Sequence, residues 1–119
     1  MPLIVIYNLS ESDFTPEKIE SIEKTITQAV LGVTELGLGK DDISFSFPKD
    51  PTVISEGVPI TIVVELLFEK PKRTVEVRQR LAEAIAKTFK SLSGNDKRMI
   101  EVAVRRFNPE KDGFYAIKP

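Results

Sequence analysis

The chain has 119 residues, of which 41% are hydrophobic and 29% are charged, so it can bury one core and is predicted to form a single domain. Its formal net charge of −1 gives no strong positive field for a phosphate backbone, and nucleic acid is not expected as a partner. No run of about 18 apolar residues and no signal-like start are present, so a membrane is not expected either and the chain is predicted to be cytoplasmic.

The first half of the sequence predicts a strand, a helix and a second strand. Residues 2–7 form an apolar, β-branched run of strand length. Thr15 precedes a proline and a glutamate, the pattern of a helix N-terminus, and apolar residues then recur at helical spacing. This helix is expected to end before Gly37 or Gly39. Residues 43–47 alternate with period two and predict the second strand.

The second half repeats this pattern after a loop over residues 48–57. Residues 59–67 predict a long third strand, and Thr74 can cap a second helix with an apolar stripe at three- and four-residue steps. Residues 100–104 alternate as a fourth strand, and residues 113–117 predict a short final strand. The predicted order is βαββαβ followed by a tail.

The two halves align with a single offset. Placing Pro2 on Pro59 also places the second strand on the fourth, which predicts duplicated βαβ units over about residues 2–58 and 59–119. A right-handed crossover makes the strands of each unit parallel, so we expect an α+β fold in which two helices cover one face of a four-stranded sheet. Strands one and three are apolar on both faces, which predicts that further copies of the chain cover the other face.

With these features the chain resembles the tautomerase superfamily over its whole length. Residues 43–50 are similar to the second strand of macrophage migration inhibitory factor, and residues 107–114 to the segment that closes its fold. Residues 73–79 resemble the start of the second helix in carboxymethyl-hydroxymuconate isomerase. The resemblance implies a homotrimer with sites at subunit interfaces and a small-molecule carboxylate as the substrate.

Pro2 is the predicted catalytic residue. The sequence has no histidine and no cysteine, which removes the commonest general base, thiol chemistry and the commonest metal ligands, and no cofactor or metal is expected. An α-amine, with a pKa of about 7.7–8.0, titrates closest to neutrality among the groups that remain. Removal of Met1 would expose the amine of Pro2, which could move a proton between carbon and oxygen in a keto–enol or allylic isomerisation.

Three cations precede the second helix and predict a binding site for the substrate carboxylate. Lys70, Lys72 and Arg73 stand directly before Thr74, where their charges add to the helix dipole and to free backbone N–H groups. In the resemblance, Arg73 matches an arginine at the start of the second helix of the muconate isomerase. Lys70 and Lys72 match paired arginines of malonate semialdehyde decarboxylase. The alternative interpretation is a solvated basic loop.

Further candidates lie near the C-terminus. Arg105 and Arg106 end the fourth strand, and alternation sends one toward the helices and the other toward a neighbouring subunit, so either could reach an interface site. Phe114 and Tyr115 predict an aromatic wall of the pocket or a cover for the core. Ser44 replaces the arginine that related tautomerases carry in the second strand, which favours a monocarboxylate over a dicarboxylate substrate.

The leading hypothesis is a tautomerase acting on a small 2-oxo acid or its enol, with Pro2 as general base. One alternative is a decarboxylase, hydratase or dehalogenase in which protonated Pro2 is the acid and a carboxylate activates water. The candidates for that carboxylate are Glu65, Glu69, Glu101 and Glu110. The other alternative is a non-catalytic trimeric binding module, which retention of Met1 would favour because an amide nitrogen is not a base.

Overall fold

The computed structural model describes residues 2–49, 58–94 and 97–119, and most of the predicted loop over residues 48–57 lies outside them. The strands are β1 (Leu3–Tyr7), β2 (Ser44–Ser46), β3 (Ile60–Phe68) and β4 (Ile100–Phe107). The helices are α1 (Pro16–Leu31), α2 (Val75–Ser93) and the single turn α3 (Pro109–Asp112), with short 3-10 turns at Glu11–Asp13, Thr34–Leu36 and Lys40–Asp42. The βαββαβ order predicted from the sequence is confirmed.

The four strands form one mixed sheet in the order β2-β1-β3-β4. β1 is parallel to β2 and β3 is parallel to β4, as two right-handed βαβ units require, whereas the central pair β1 and β3 is antiparallel. Each half of the chain thus contributes one parallel strand pair and one long helix. The duplication over residues 2–58 and 59–119 stays a prediction.

The core lies between the sheet and the two long helices. It contains buried residues from both: Ile4, Ile6, Ile22, Ile26, Ile60, Ile62, Val64, Leu67, Val77, Leu81, Ile85 and Phe89. Both long helices are capped by the predicted threonines. The Thr15 hydroxyl accepts a hydrogen bond from the Lys18 N–H, and the Thr74 hydroxyl accepts one from the Val77 N–H. Among the described residues, no helix is long and apolar enough to cross a membrane.

The opposite, helix-free face of the sheet is less apolar than predicted. Val5 and Val63 are paired on it and only 7% exposed, but Glu65, Glu101 and Arg105 lie on the same face. Regular alternation along residues 59–67 would place Leu67 on this face with Val63, but a β-bulge after Val64 turns Leu67 into the helix-covered core.

The predicted strand over residues 113–117 is also wrong. The chain turns through α3 and Gly113, whose φ is 75°, and residues 113–119 are exposed without regular structure. A strand needs a neighbouring strand to pair with, and no strand of the described residues pairs with this segment. β4 is longer than predicted because it stays paired with β3 as far as Phe107.

Candidate active site

Pro2 lies at the start of β1 and is completely buried, with less than 2% of its surface exposed. Its carbonyl oxygen accepts a hydrogen bond of 3.1 Å from the Ser44 N–H, at the start of β2. On the other side, β1 pairs with β3, and the last paired residues before Pro2 are Leu3 and Glu65. Pro2 is therefore enclosed between two neighbouring strands.

The strand directions bring several predicted site residues to the same end of the sheet. Because β1 and β3 are antiparallel while β3 and β4 are parallel, the start of β1 meets the ends of β3 and β4. We call this the Pro2 end of the sheet. The loop over residues 69–74 and the first turn of α2 follow β3 there, and Arg106 and Phe107 complete β4.

Arg73 is buried at this end, with 7% of its surface exposed. Its Nε and Nη2 atoms donate to the Leu36 carbonyl at 3.0 and 2.7 Å, and its Nη1 donates to the Phe68 carbonyl at 2.7 Å. Burial lowers the pKa of Arg73 and Asp42 opposes the shift, but an arginine in a protein stays protonated. The guanidinium thus joins two backbone segments, whereas the sequence predicted a ligand for a substrate carboxylate.

A shallow cleft of about 620 Å³ opens beside Arg73. Besides Arg73 its lining consists of Glu69, Lys70, Pro71, Thr74, Val75, Glu76, Arg78 and Arg106. Lys70 and Arg106 are exposed there, and the N-terminus of α2 adds the positive end of its dipole. Lys72 is exposed but does not line the cleft. Apart from the buried Arg73, the predicted cations that line this cleft are therefore Lys70 and Arg106.

The carboxylate of Glu69 is fixed at the rim of this cleft. One oxygen lies 3.3 Å from Arg106 Nε, and the other accepts a hydrogen bond of 3.0 Å from Asn108 Nδ2. The side chain of Asn108 is itself held, because its Oδ1 accepts from the backbone N–H groups of Glu110 and Lys111. Glu69 is the one candidate carboxylate of the four that lines the cleft.

Arg105 points to the helix-free face of the sheet instead. Its Nη1 lies 3.0 Å from Glu65 Oε1, and the two side chains are 69% and 34% exposed. An exposed ion pair of this kind contributes about 0–1 kcal/mol. On the same face, Glu101 accepts a hydrogen bond of 3.4 Å from the Thr61 hydroxyl. The alternation predicted for the two arginines is present, with Arg106 in the cleft and Arg105 outside it.

Phe114 belongs to a cluster of three phenylalanine rings at the Pro2 end. Its ring centroid lies 5.2 Å from that of Phe68 and 6.0 Å from that of Phe107, edge-to-face in both cases. The rings of Phe68 and Phe107 stack at 5.6 Å. Phe114 is 50% exposed, and its neighbour Tyr115 is 85% exposed. The sequence analysis did not identify Phe68 and Phe107 as site candidates. They are the last residues of the parallel strands β3 and β4.

Other cavities open elsewhere in residues 2–49, 58–94 and 97–119, and one of about 520 Å³ lies against Lys87, Arg98 and Ile100 without a predicted site residue. A cavity of about 320 Å³ between α1 and α2 lies at the opposite end of the sheet, over Ile22, Ile60 and Phe89, and none of the predicted site residues lines it. This part of the chain also contains no group of three or more Asp or Glu residues that could hold a metal ion.

The sequence matches no protein-family model and no curated protein. Its fold, in contrast, matches solved structures over nearly the whole chain. The structure described as "F6 fused 4-OT wild type asymmetric trimer" superposes with a TM-score of 0.71 at 13% identity, over 94% of this chain and 91% of that chain.

Two further structures extend the comparison. Pt0534 inactivated by 2-oxo-3-pentynoate gives a TM-score of 0.64 at 19% identity, over 95% of this chain and 89% of that chain. FG41 malonate semialdehyde decarboxylase inhibited by 3-bromopropiolate gives a TM-score of 0.57 at 19% identity, over 96% of this chain and 89% of that chain. These matches confirm the tautomerase-superfamily fold predicted by the resemblance, and at such identities the likeness is one of fold.

Proposed function

We propose that this chain is a cofactor-independent tautomerase that moves a proton within a small 2-oxo carboxylic acid or its enol. The observation that carries the proposal is the complete burial of Pro2 at the end of the sheet that also holds the basic cleft. Removal of Met1 converts the Pro2 nitrogen from an amide into a secondary amine, which then becomes the general base.

The burial of Pro2 supports the role of base because desolvation disfavours the ammonium form of an amine and lowers its pKa. A model α-amine titrates at about 7.7–8.0, so a decrease of about one unit leaves mostly neutral amine at pH 7. That amine can take a proton from the carbon beside the carbonyl and return it to another carbon or to oxygen. The charge that develops on oxygen then needs a fixed positive partner.

Lys70 and Arg106 are the exposed cations of the cleft, and we assign Lys70 to the substrate carboxylate rather than to the charge that develops on oxygen. Both line it, and both can donate to a substrate carboxylate beside the N-terminus of α2. Arg73 does not contact the substrate in this proposal. It stabilises the backbone beside the cleft through its hydrogen bonds to the carbonyl oxygens of Leu36 and Phe68. Phe114 supplies an apolar side to the same end of the sheet. Lys72, outside the cleft, adds only a diffuse positive field.

A second candidate is a hydratase or decarboxylase in which protonated Pro2 is the acid. The observation that favours it is the position of Glu69 at the rim of the cleft. Arg106 and Asn108 orient its carboxylate, which could activate a water molecule. The two candidates predict opposite pH profiles, because a base must be neutral and an acid must be protonated. A third candidate is a non-catalytic binding module, which retention of Met1 would favour.

Assembly as a homotrimer is part of the proposal. The helix-free face holds the buried Val5 and Val63 but has no layer of helices, and Phe114, Tyr115 and Ile117 are between 50% and 85% exposed. The fused 4-OT structure that this fold matches is described as a trimer. We expect native mass spectrometry and light scattering to give three times the chain mass of 13.3 kDa at micromolar concentration. A folded species of one chain mass under these conditions would contradict it.

The role of Lys70 is tested by a matched pair of substitutions in one loop. Processed protein, with loss of Met1 checked by intact mass, is first screened by absorbance against enolpyruvates. We expect Lys70→Ala to raise KM about tenfold with kcat nearly unchanged, because a carboxylate contact is made equally in the ground and transition states. Lys72→Ala removes the same charge outside the cleft and should change KM less than twofold. Equal changes would show that only the net charge of the loop matters.

A further inference from the structure

Pro2, Glu69 and Arg106 lie on the same face of the sheet. The residue two positions along the chain from each of them packs in or against the core on the helix-covered side: Ile4, Leu67 and Val104. Because side chains two residues apart in a β ladder share a face, Pro2, Glu69 and Arg106 are directed to that side as well. The ladder extends to Glu69, whose N–H donates to the Phe107 carbonyl oxygen at 2.8 Å. The basic cleft therefore opens on the same face as the proposed base.

The two exposed cations of the cleft differ in their partners. Arg106 already has a carboxylate, because one oxygen of Glu69 lies 3.3 Å from its Nε atom and Asn108 Nδ2 holds the other oxygen at 3.0 Å. Within the described residues, no carboxylate forms an ion pair with Lys70. A substrate carboxylate can thus bind Lys70 directly, whereas at Arg106 it must displace a carboxylate of the protein itself.

The other charged groups of the lining leave the cleft positive. Arg73 and Arg78 add two cations and Glu76 adds one carboxylate, so the lining carries four cations and two carboxylates in all. The guanidinium of Arg73 already donates to backbone carbonyls, and Arg78 is half-buried. The net charge alone would therefore attract a doubly charged anion as well as a singly charged one. A preference between them must come from the local pairing of Glu69 with Arg106.

We propose that Glu69 is a specificity-determining residue: its carboxylate occupies, at Arg106, the position that the second carboxylate of a dicarboxylic acid would take. Lys70 binds the first carboxylate, and a second one beside Glu69 would meet a like charge. The cleft accordingly prefers monocarboxylates, the class that Ser44 in β2 favoured on different grounds. That such acids are the substrates rests on the proposed function. The preference of the cleft for one carboxylate rests on the contacts of Glu69.

Two unreactive ligands and two variants test the proposal. Propionate carries one carboxylate, and succinate adds a second one at the other end of the same short chain. Glu69→Gln keeps the length of the side chain and an acceptor for Asn108, but it removes the charge that faces Arg106. Glu76→Gln is the matched control, because it removes the same charge from the same lining and leaves the pair of Glu69 and Arg106 in place.

Dissociation constants are obtained from shifts of the Arg106 Nε–H signal in proton–nitrogen spectra of processed protein. In the wild type we expect succinate to bind at most about threefold more tightly than propionate, since two equal carboxylates alone give a factor of about two. In Glu69→Gln we expect succinate to gain about fivefold in affinity and propionate less than about twofold, the scale of one exposed ion pair. Glu76→Gln should change the affinity of neither ligand by more than about twofold.

Three results would overturn the proposal. A wild-type protein that binds succinate more tightly than this limit would show that Arg106 or Arg78 accepts a second carboxylate. Equal gains for succinate in Glu69→Gln and Glu76→Gln would show that the net charge of the cleft is the cause. Failure of both ligands to bind any of the three proteins would show that the cleft does not hold carboxylates.

Binding of these ligands requires no reaction, so it separates this inference from the proposed function. If the processed protein converts no enol substrate but the two variants differ as expected, the tautomerase proposal fails and Glu69 still sets the charge preference of the cleft. If enol substrates are converted but succinate gains nothing in Glu69→Gln, the proposed function stands and the role of Glu69 is rejected.

Discussion

Blocking the amine of Pro2 should lower kcat for enol ketonisation by about 10²- to 10⁴-fold, the range that a positioned general base contributes. The chain contains no histidine and no cysteine, so no other side chain has an ordinary pKa near neutrality. An acylated proline nitrogen has no basic lone pair. With the base removed, only electrostatic stabilisation by the cleft remains.

The comparison uses a short peptide extension placed before Met1, which keeps the Pro2 nitrogen in an amide bond. The same extension placed after Pro119 is the matched control, because residues 113–119 are exposed and without regular structure. A processed Pro2→Ala variant retains a primary amine and should lose part of the rate. For the control, kcat/KM should rise with pH as the amine loses its proton. Equal rates for the two extended proteins would mean that Pro2 is structural.

Arg73→Met should lower the free energy of unfolding by about 3–5 kcal/mol. The substitution removes the three N–H groups that donate to the carbonyl oxygens of Leu36 and Phe68. Both carbonyl oxygens then lose this donor at a site from which solvent is largely excluded. Each buried acceptor without a partner costs about 1–3 kcal/mol, and hydrogen bonds from a charged donor are the stronger kind. Arg73→Lys should recover only part of the loss, because one ammonium group cannot reproduce the planar fork that serves both carbonyls.

Arg80→Met is the matched control for Arg73. Arg80 lies in the first half of α2. Like Arg73 it binds the turn after α1, through an ion pair with Glu35, but its side chain is 53% exposed. Its loss should cost less than about 1 kcal/mol. Urea denaturation followed by circular dichroism, at one protein concentration for all variants, gives the comparison. Similar losses for both arginines would refute the structural role of Arg73.

The elements that could be predicted are those whose signals are local. Thr15 and Thr74 cap their helices as the sequence indicated, because a cap involves only the next few residues. The buried positions of α2 recur at four-residue steps, as predicted, whereas the predicted three-residue step leads to Leu92, which is 39% exposed. The parallel pairing within each half followed from the helix between its two strands, because such a crossover returns the chain to the end of the sheet where the first strand began.

The features that escaped prediction depend on residues distant in sequence. Arg73 belongs to a basic cluster that looks like a solvated loop, and its burial depends on Leu36, 37 positions earlier in the chain. Leu66 has a left-handed φ of 57°, but it lies in an apolar run typical of a regular strand, so nothing local indicates this conformation. Residues 113–117 are mostly apolar and were predicted as a strand, but strand formation also requires pairing with another strand, which the segment's own sequence does not specify. At the candidate site, the sequence indicated the type of cation and not its orientation.

The interior position of β1 in the sheet affects how the proposed catalytic amine can form. During translation β1 leaves the ribosome before β3, which encloses Pro2 from one side and follows only after α1 and β2. Until then the nascent N-terminus remains accessible to the aminopeptidase that removes Met1. After β3 pairs with β1, Pro2 is buried, and we expect the peptidase to reach the bond before it less readily. Excision is therefore expected on the growing chain, and any polypeptide that folds before it is processed should remain inactive for its lifetime.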